Sequence, residues 1–318
     1  MKYSIITPVY NREDCIARCL DSVISNTRAD FDFEHIVVDD GSSDRSALII
    51  QEYAEKYKHI KYISFSQNRG TNAARNAAIA AAESDYCIIL DSDDYFVADA
   101  LAFIDSIVSS NEYKAYMFAA DDMLDYYKRN PIINGKLTVE LTFQDFLRGS
   151  IGGDFIHCIC TQILKKYPFD EGLKVFEAVF FLRFFREAQK MLFTNRVVTI
   201  RERSRNDSVT RTMIATNEET IQKYYQANQY RYLWFKNDYV RLGEVDALSA
   251  LLNNLVYYSL LLGLRDRAKK WVHELQRLSL SLMRKNHILF TYRLGRLYLF
   301  MLKVYFVLKY KILQCKLS

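Results

Sequence analysis

The chain has 318 residues, 50% hydrophobic and 25% charged, with three Pro and ten Gly, which excludes a disordered, collagen-like or disulfide-dense polypeptide. That length has room for one large domain or for two with separate cores. The net charge of +5 is uneven, because Leu264–Ser318 carries 13 Lys or Arg against Asp266 and Glu274, while the preceding residues hold 30 basic and 36 acidic side chains. A basic segment on a mildly acidic body points to an anionic surface, either a membrane or nucleic acid.

In chain order, Tyr3–Thr7 reads as a strand that follows Met1-Lys2 without a secretory h-region, so a cytoplasmic protein is expected. The six cysteines include no CxxC pair and are expected to be reduced core residues. Asn11 can cap a helix over about Asp14–Ser25, whose Ile16, Leu20, Val23 and Ile24 fall on one stripe. Glu34–Val38 is the next strand, followed by an Asp-rich turn and a helix to about Tyr57. Strand Ile60–Ser64, the Ala-rich helix Thr71–Ala82 and the apolar run Tyr86–Leu90 continue the alternation. Regular βαβ alternation predicts an α/β fold with a mainly parallel, doubly wound sheet. From Asn111 to Thr212 the pattern loosens into mixed elements, with loops at Gly149–Gly153 and Glu171-Gly172, and from about Asn217 it is helical.

Two later segments bear on membranes. Ala247–Leu264 is apolar, but Asn253-Asn254 interrupts it, so a buried core helix is expected there. His287–Leu313 is rich in Leu, Phe and Tyr, yet Arg293, Arg296, Lys303, Lys309 and Lys311 leave no uncharged run of the roughly 18–20 residues that spanning requires. On a helical wheel Arg293, Arg296, Lys303 and Lys311 fall within about 80° of one another. A basic amphipathic helix of this kind suits the interface of an anionic leaflet; the alternative is a helix packed on the protein's own body with solvated cations.

Chemistry concentrates at four strand ends. Thr7-Pro8-Val9-Tyr10-Asn11 is a strand running into a Pro-fixed loop that can present Tyr10 for stacking on a base. Val38-Asp39-Asp40-Gly41-Ser42 places a carboxylate at a strand end before a tight glycine turn. Asn68-Arg69-Gly70-Thr71-Asn72-Ala73-Ala74-Arg75-Asn76 opens a helix on a glycine with Arg75 one turn in, placed to reach a diphosphate. The fourth is Leu90-Asp91-Ser92-Asp93-Asp94, three carboxylates at the lip of a buried strand. Such acids repel one another and become reasonable around a hard cation and a phosphate-bearing ligand; the alternative is a solvated turn that caps the next helix. In open α/β sheets the ligand crevice lies at this carboxyl edge.

In order and spacing this set resembles family 2 of the glycosyltransferases, closely over about residues 2–125 and loosely to about 212. The resemblance implies a GT-A fold, with a domain over 1–215 (donor half to about 120, acceptor half from about 121) and a helical basic region over 216–318. It also implies inverting transfer of a sugar, as a hexosyltransferase, from a UDP-sugar to a glycan hydroxyl. By position, Tyr10 and Asp40, beside Pro8, would hold the nucleobase and Arg75 the diphosphate. Asp91-Ser92-Asp93 looks like the family's DxD element, with Asp93 the main ligand of Mg²⁺ or Mn²⁺ and Asp91 contacting ribose or a metal-bound water. Asp94 would be a helix cap or an acceptor-side neighbour.

The chain departs from the family twice. Many relatives place a Glu-Asp pair, whose Asp is the base, where this chain has Glu177 and Ala178. Three readings follow: Glu177 is the base, position 178 was altered to silence the chain, or the protein binds nucleotide-sugars without catalysis. Several relatives also carry a His where Arg205 stands, and a guanidinium there would hold the diphosphate rather than a metal. Within the family the segment from Asp145 to Glu177 is similar to bacterial branch-adding members. Their acceptor, an oligosaccharide on polyprenyl diphosphate, would account for a basic, apolar tail. The expected setting is peripheral, on the cytoplasmic face of an inner membrane, and no nucleic-acid motif is present.

Overall fold

In the computed structural model, which describes residues 3–26, 32–172, 177–202 and 217–312, the chain divides into two units, Met1–Arg205 and Asn206–Ser318. The first is built on the wholly buried strand β1 (Tyr3–Val9). Its other elements are α1 (Ile16–Ser25), β2 (Phe33–Asp39), α2 (Ser46–Lys56), β3 (Ile60–Ser64), α3 (Thr71–Ala81), β4 (Tyr86–Ile89), β5 (Tyr95–Phe96) and α4 (Ala100–Ser109). They continue with β6 (Ala115–Ala120), α5 (Leu124–Arg129), β7 (Thr138–Thr142), α6 (Phe143–Leu147), β8 (Ile156–Cys160), α7 (Thr161–Lys166), α8 (Ala178–Ala188) and β9 (Lys190–Ile200).

The sheet runs β3-β2-β1-β4-β8-β6-β9-β5, with β7 also paired to β9. Strands β3, β2, β1 and β4 are parallel, as strands joined by helical crossovers are. Strand β8 enters antiparallel between β4 and β6, and β5 and β7 run antiparallel to β9, so the looser sequence pattern after residue 111 corresponds to a mixed half of the sheet. Period-2 alternation divides β1: Tyr3, Ile5 and Val9 join one core with Ile16, Leu20 and Val23 of α1, Ile50 of α2 and Leu101, Ile104 and Val108 of α4. On β1 and β2, α3 packs through its small Ala73, Ala74 and Ala78, all buried, which lets its axis come close to the strands.

The second unit is a series of short-linked helices, Glu218–Arg241, Val245–Leu261, Arg265–Arg277, Arg284–Thr291 and Gly295–Phe306. Asn217 caps the first, its side chain accepting from the Glu219 N–H at 3.1 Å. All four junctions end alike. A residue with left-handed backbone, Gly243, Gly263, Ser279 or Arg293, is followed by an N–H that bonds back five residues, from Glu244 to Tyr239, Leu264 to Ser259, Leu280 to Leu275 and Leu294 to Leu289. These are Schellman closures, which satisfy the last carbonyls and reverse the chain.

Arg293 therefore lies in a turn, and the single basic helix expected over His287–Leu313 is two helices followed by a π-helical segment, Val307–Ile312. Its cations do not form one free stripe, since Arg296 and Lys303 reach Glu218 at 3.0 and 3.8 Å. The apolar Ala247–Leu264 segment is a packed helix, and among the described residues no helix is long and apolar enough to cross a membrane.

Asn253, 2% exposed, shows why an amide interrupts that helix. Its Nδ2 donates to the Ser249 and Ser281 carbonyls at 3.0 and 3.1 Å, and its Oδ1 accepts from Met283 N–H at 2.8 Å and Asn286 Nδ2 at 3.2 Å. It ties the Val245–Leu261 helix to the start of the Arg284–Thr291 helix. Replacing Asn253 by Ala strands several buried groups and is expected to lower unfolding free energy by about 2–3 kcal/mol, whereas Asn254→Ala on the exposed side should change it by less than about 0.5 kcal/mol. Urea unfolding of the two variants checks this, and equal effects would contradict it.

Candidate active site

The site begins with two loops fastened to each other at the carboxyl ends of β1 and β2. The last β1–β4 pair is Ile6 with Ile89, so Pro8 lies beyond that ladder and its missing N–H interrupts no bond to β4. Tyr10, 43% exposed, is free to stack. Asn11 does not cap α1, which starts at Ile16 without a side-chain cap. With φ of 50° it instead accepts from Ser43 N–H at 2.9 Å and gives its own N–H to Ser42 Oγ at 2.9 Å. Arg12 N–H to Ser46 Oγ (2.7 Å) and Arg45 N–H to Glu13 Oε2 (2.9 Å) complete the stitching.

Asp40 is buried, and each of its oxygens accepts a backbone N–H at 2.7 Å, from Arg69 and from Gly70. It thus anchors the start of α3 from the neighbouring strand. Gly41 allows this approach: it has φ of 72°, and a Cβ there would lie 2.6 Å from the Gln67 carbonyl carbon and 2.8 Å from Asn68 N.

Helix α3 then does two things. Asn72 and Asn76, one turn apart, grip the segment before α8: Asn72 Nδ2 donates to the Asp170 carbonyl (2.8 Å), while Asn76 donates to the Phe169 carbonyl (2.9 Å) and accepts the Phe169 N–H (2.8 Å). Between them Arg75, 9% exposed, reaches Asp91 Oδ1 through one terminal nitrogen at 2.8 Å and Glu177 Oε1 through the other at 3.3 Å. Loss of water around Asp91 disfavours its charge, but the Arg75 guanidinium, then Arg201 and Arg12, hold the carboxyl below its ordinary range. Asp93 lies 4.0 Å from Arg12 Nε. Ser92 is buried.

No helix starts at Asp94, because β5 follows directly, so a helix-cap role there is ruled out. Asp94 is buried, and burial together with the Asp91 charge pushes its carboxyl up to about 8 against the pull of Arg201. Arg201, just past β9, binds Asp154 Oδ2 at 2.9 Å and faces Asp94 at 3.7 Å and Asp122 at 4.0 Å, while its N–H bonds Asp121 Oδ1 at 3.0 Å.

Of the residues singled out in sequence, Arg75, Asp91 and Glu177 meet directly, and Asp93 neighbours them through the same strand end. Asp40 braces α3. Ala178 is exposed in the first turn of α8, and Arg205 lies outside the described residues. Arg201, Arg12, Asn72 and Asn76 were not singled out. The i, i+4 amides on α3 were the available signal, whereas nothing local marks Arg201. Buried His35 bonds Thr7 Oγ1 at 2.9 Å, while half-buried His157 stacks on Phe181 with centroids 4.1 Å apart. Burial, with the nearby charges of Arg201 and Arg75 against that of Asp91, holds the His157 imidazole neutral.

Among the described residues no three metal-ligating side chains converge. Mg²⁺ and Mn²⁺ in phosphate chemistry commonly take one or two carboxylates and complete their shell with water and phosphate. The Asp91 and Asp93 side chains, 45% and 29% exposed, fit that shared mode rather than an all-protein cage.

The family model "Glycosyl transferase family 2" matches residues 4–122, which span every loop and strand end just described up to Asp122. A poly(ribitol-phosphate) beta-glucosyltransferase of Bacillus spizizenii is 45% identical over 102 residues, 32% of this chain but only 16% of that protein. A GalNAc(5)-diNAcBac-PP-undecaprenol beta-1,3-glucosyltransferase of Campylobacter jejuni is 27% identical over 214 residues, 66% of this chain and 67% of the other. In fold, residues 1–349 of Staphylococcus aureus TarS, solved with UDP-GlcNAc, superpose with a TM-score of 0.60 at 17% identity, covering 89% of this chain and 93% of that one. Residues 4–122 thus match a family 2 glycosyltransferase domain, within a unit of GT-A fold that a helical region follows.

Gly41→Ala should cost at least about 2 kcal/mol, from strained backbone and collision with Gln67, and should loosen the Arg69–Gly70 anchor of α3. Thermal unfolding together with UDP titration checks this. A fully stable variant with unchanged UDP affinity would contradict the role given to this turn.

Proposed function

We propose that the protein is an inverting glycosyltransferase that moves a sugar from a UDP-sugar to a hydroxyl of a glycan acceptor carried on polyprenyl diphosphate. The observation that carries this reading is the bridge formed by Arg75, which brings Glu177, 102 residues away in sequence, to the Asp91 end of β4. The named activities of the relatives, a glucosyltransferase on an undecaprenyl-linked glycan and another on a ribitol-phosphate polymer, support the acceptor class, and the UDP-GlcNAc complex of TarS supports the donor.

On this reading Tyr10 stacks on the uracil ring, Asp40 keeps the loop before α3 in place beside it, and Arg75, with Arg205, orients the diphosphate. Asp93 would hold a Mg²⁺ or Mn²⁺ ion, with Asp91 alongside. The ion would supply positive charge against the charge that develops on a departing nucleoside diphosphate. Glu177 takes the proton of the acceptor hydroxyl as its oxygen bonds the anomeric carbon from the face opposite the breaking C–O bond to phosphate, which inverts the centre. The ion pair to Arg75 would hold the Glu177 carboxylate near the Asp91 end of β4. The exposed apolar and basic side chains of the C-terminal helices support peripheral attachment to an anionic membrane carrying the acceptor.

A second reading follows from Ala178, which offers no proton acceptor beside Glu177: a nucleotide-sugar-binding protein without turnover. Release of UDP from UDP-glucose and UDP-GlcNAc with Mn²⁺ separates the two. Glu177→Gln should lower the rate by at least about 100-fold while UDP affinity stays within a few-fold. An unchanged rate would remove Glu177 as base, and activity arising only in Ala178→Asp would establish the binding-protein reading.

A further inference from the structure

The last two helices of the second unit enclose an apolar groove of about 500 Å³, within the roughly 300–1,000 Å³ typical of sites for small apolar ligands. Ile288, Leu297, Tyr298 and Met301 line it, and Arg284 and Lys285 stand among them. Ile288, Leu297 and Met301 are 40%, 55% and 57% exposed, and Phe300, Val304 and Tyr305 extend the apolar surface along the same helix. Contiguous apolar exposure of this kind marks a binding site.

Charge identifies what covers it. No carboxylate among the described residues pairs with Arg284, Lys285 or Arg293, whereas Arg296 and Lys303 share Glu218. Lys285 is held in place, with its ammonium 4.2 Å from the Tyr257 ring centroid and 4.7 Å from that of Tyr298. Cations without a carboxylate partner, one of them held between two rings, beside an open hydrocarbon slot complement a molecule with one anionic head and an aliphatic chain. A second copy of this chain would bring the same surplus of Lys and Arg over Leu264–Ser318, and a free phosphate would leave the apolar walls uncovered.

We infer that this groove takes one acyl chain of an anionic bilayer phospholipid, with the lipid phosphate against Arg284 and Lys285. The inference rests on the membrane attachment proposed above and turns it from diffuse adhesion into a defined lipid site.

The test uses the full chain, titrated calorimetrically with short-chain phosphatidylglycerol below its micelle concentration, and floated with vesicles of equimolar phosphatidylcholine and phosphatidylglycerol. Saturable one-to-one binding is expected. It should weaken about tenfold or more in the double variant Leu297→Gln, Met301→Gln and about fivefold in Arg284→Gln, with thermal stability and UDP affinity unchanged. Absence of saturable binding, or binding indifferent to both variants, overturns the groove assignment. Flotation that persists in that case leaves general membrane attachment standing, while a wild-type chain that does not float overturns both.

Discussion

The arrangement turns on one buried guanidinium. Arg75 sits almost out of water between two carboxylates from distant parts of the chain, Asp91 at the end of β4 and Glu177 at the start of α8. Removing a charge from water is costly unless it is paired, and the pairing in turn makes the crowded acids at the strand lip tolerable. Everything that fixes Arg75 therefore fixes the site. Asp40 pins the first turn of α3 from β2, Gly41 gives that loop room, and Asn72 and Asn76 hold the Phe169–Asp170 backbone that leads toward Glu177.

A second cation balances the other side. Arg201 faces Asp94, Asp122 and Asp154, which come from three separate segments, and it restrains the rise in the Asp94 carboxyl. Arginines on both flanks of Asp91 and Asp93 give a surface of alternating sign. Such a surface suits a ligand that brings its own negative phosphates and shares a cation with the protein.

Much of the first half was legible because periodicity alone sets it. The βαβ rhythm, the boundaries of β3 and α3, and the acids at the end of β4 all follow from local pattern. What local pattern does not contain is pairing partner. The antiparallel entry of β8, the two-loop stitching that takes Asn11 away from a capping role, and the gathering of three acids by Arg201 depend on contacts between remote segments. The tail shows the same limit from another direction. A wheel drawn over His287–Leu313 assumes one straight helix, and the left-handed Arg293 ends that helix with no glycine at the position to announce it. Asn253 was visible as an interruption, but its four side-chain bonds belong to the folded helical unit.

On the proposed function, the β4 strand end binds a nucleoside diphosphate together with a cation. Calorimetric titration of UDP into the full chain, with and without Mn²⁺, for the wild type and for Asp93→Asn, tests it most directly. Binding should require Mn²⁺ and weaken at least about tenfold in Asp93→Asn. UDP binding that is equally strong without metal and in the variant would contradict it.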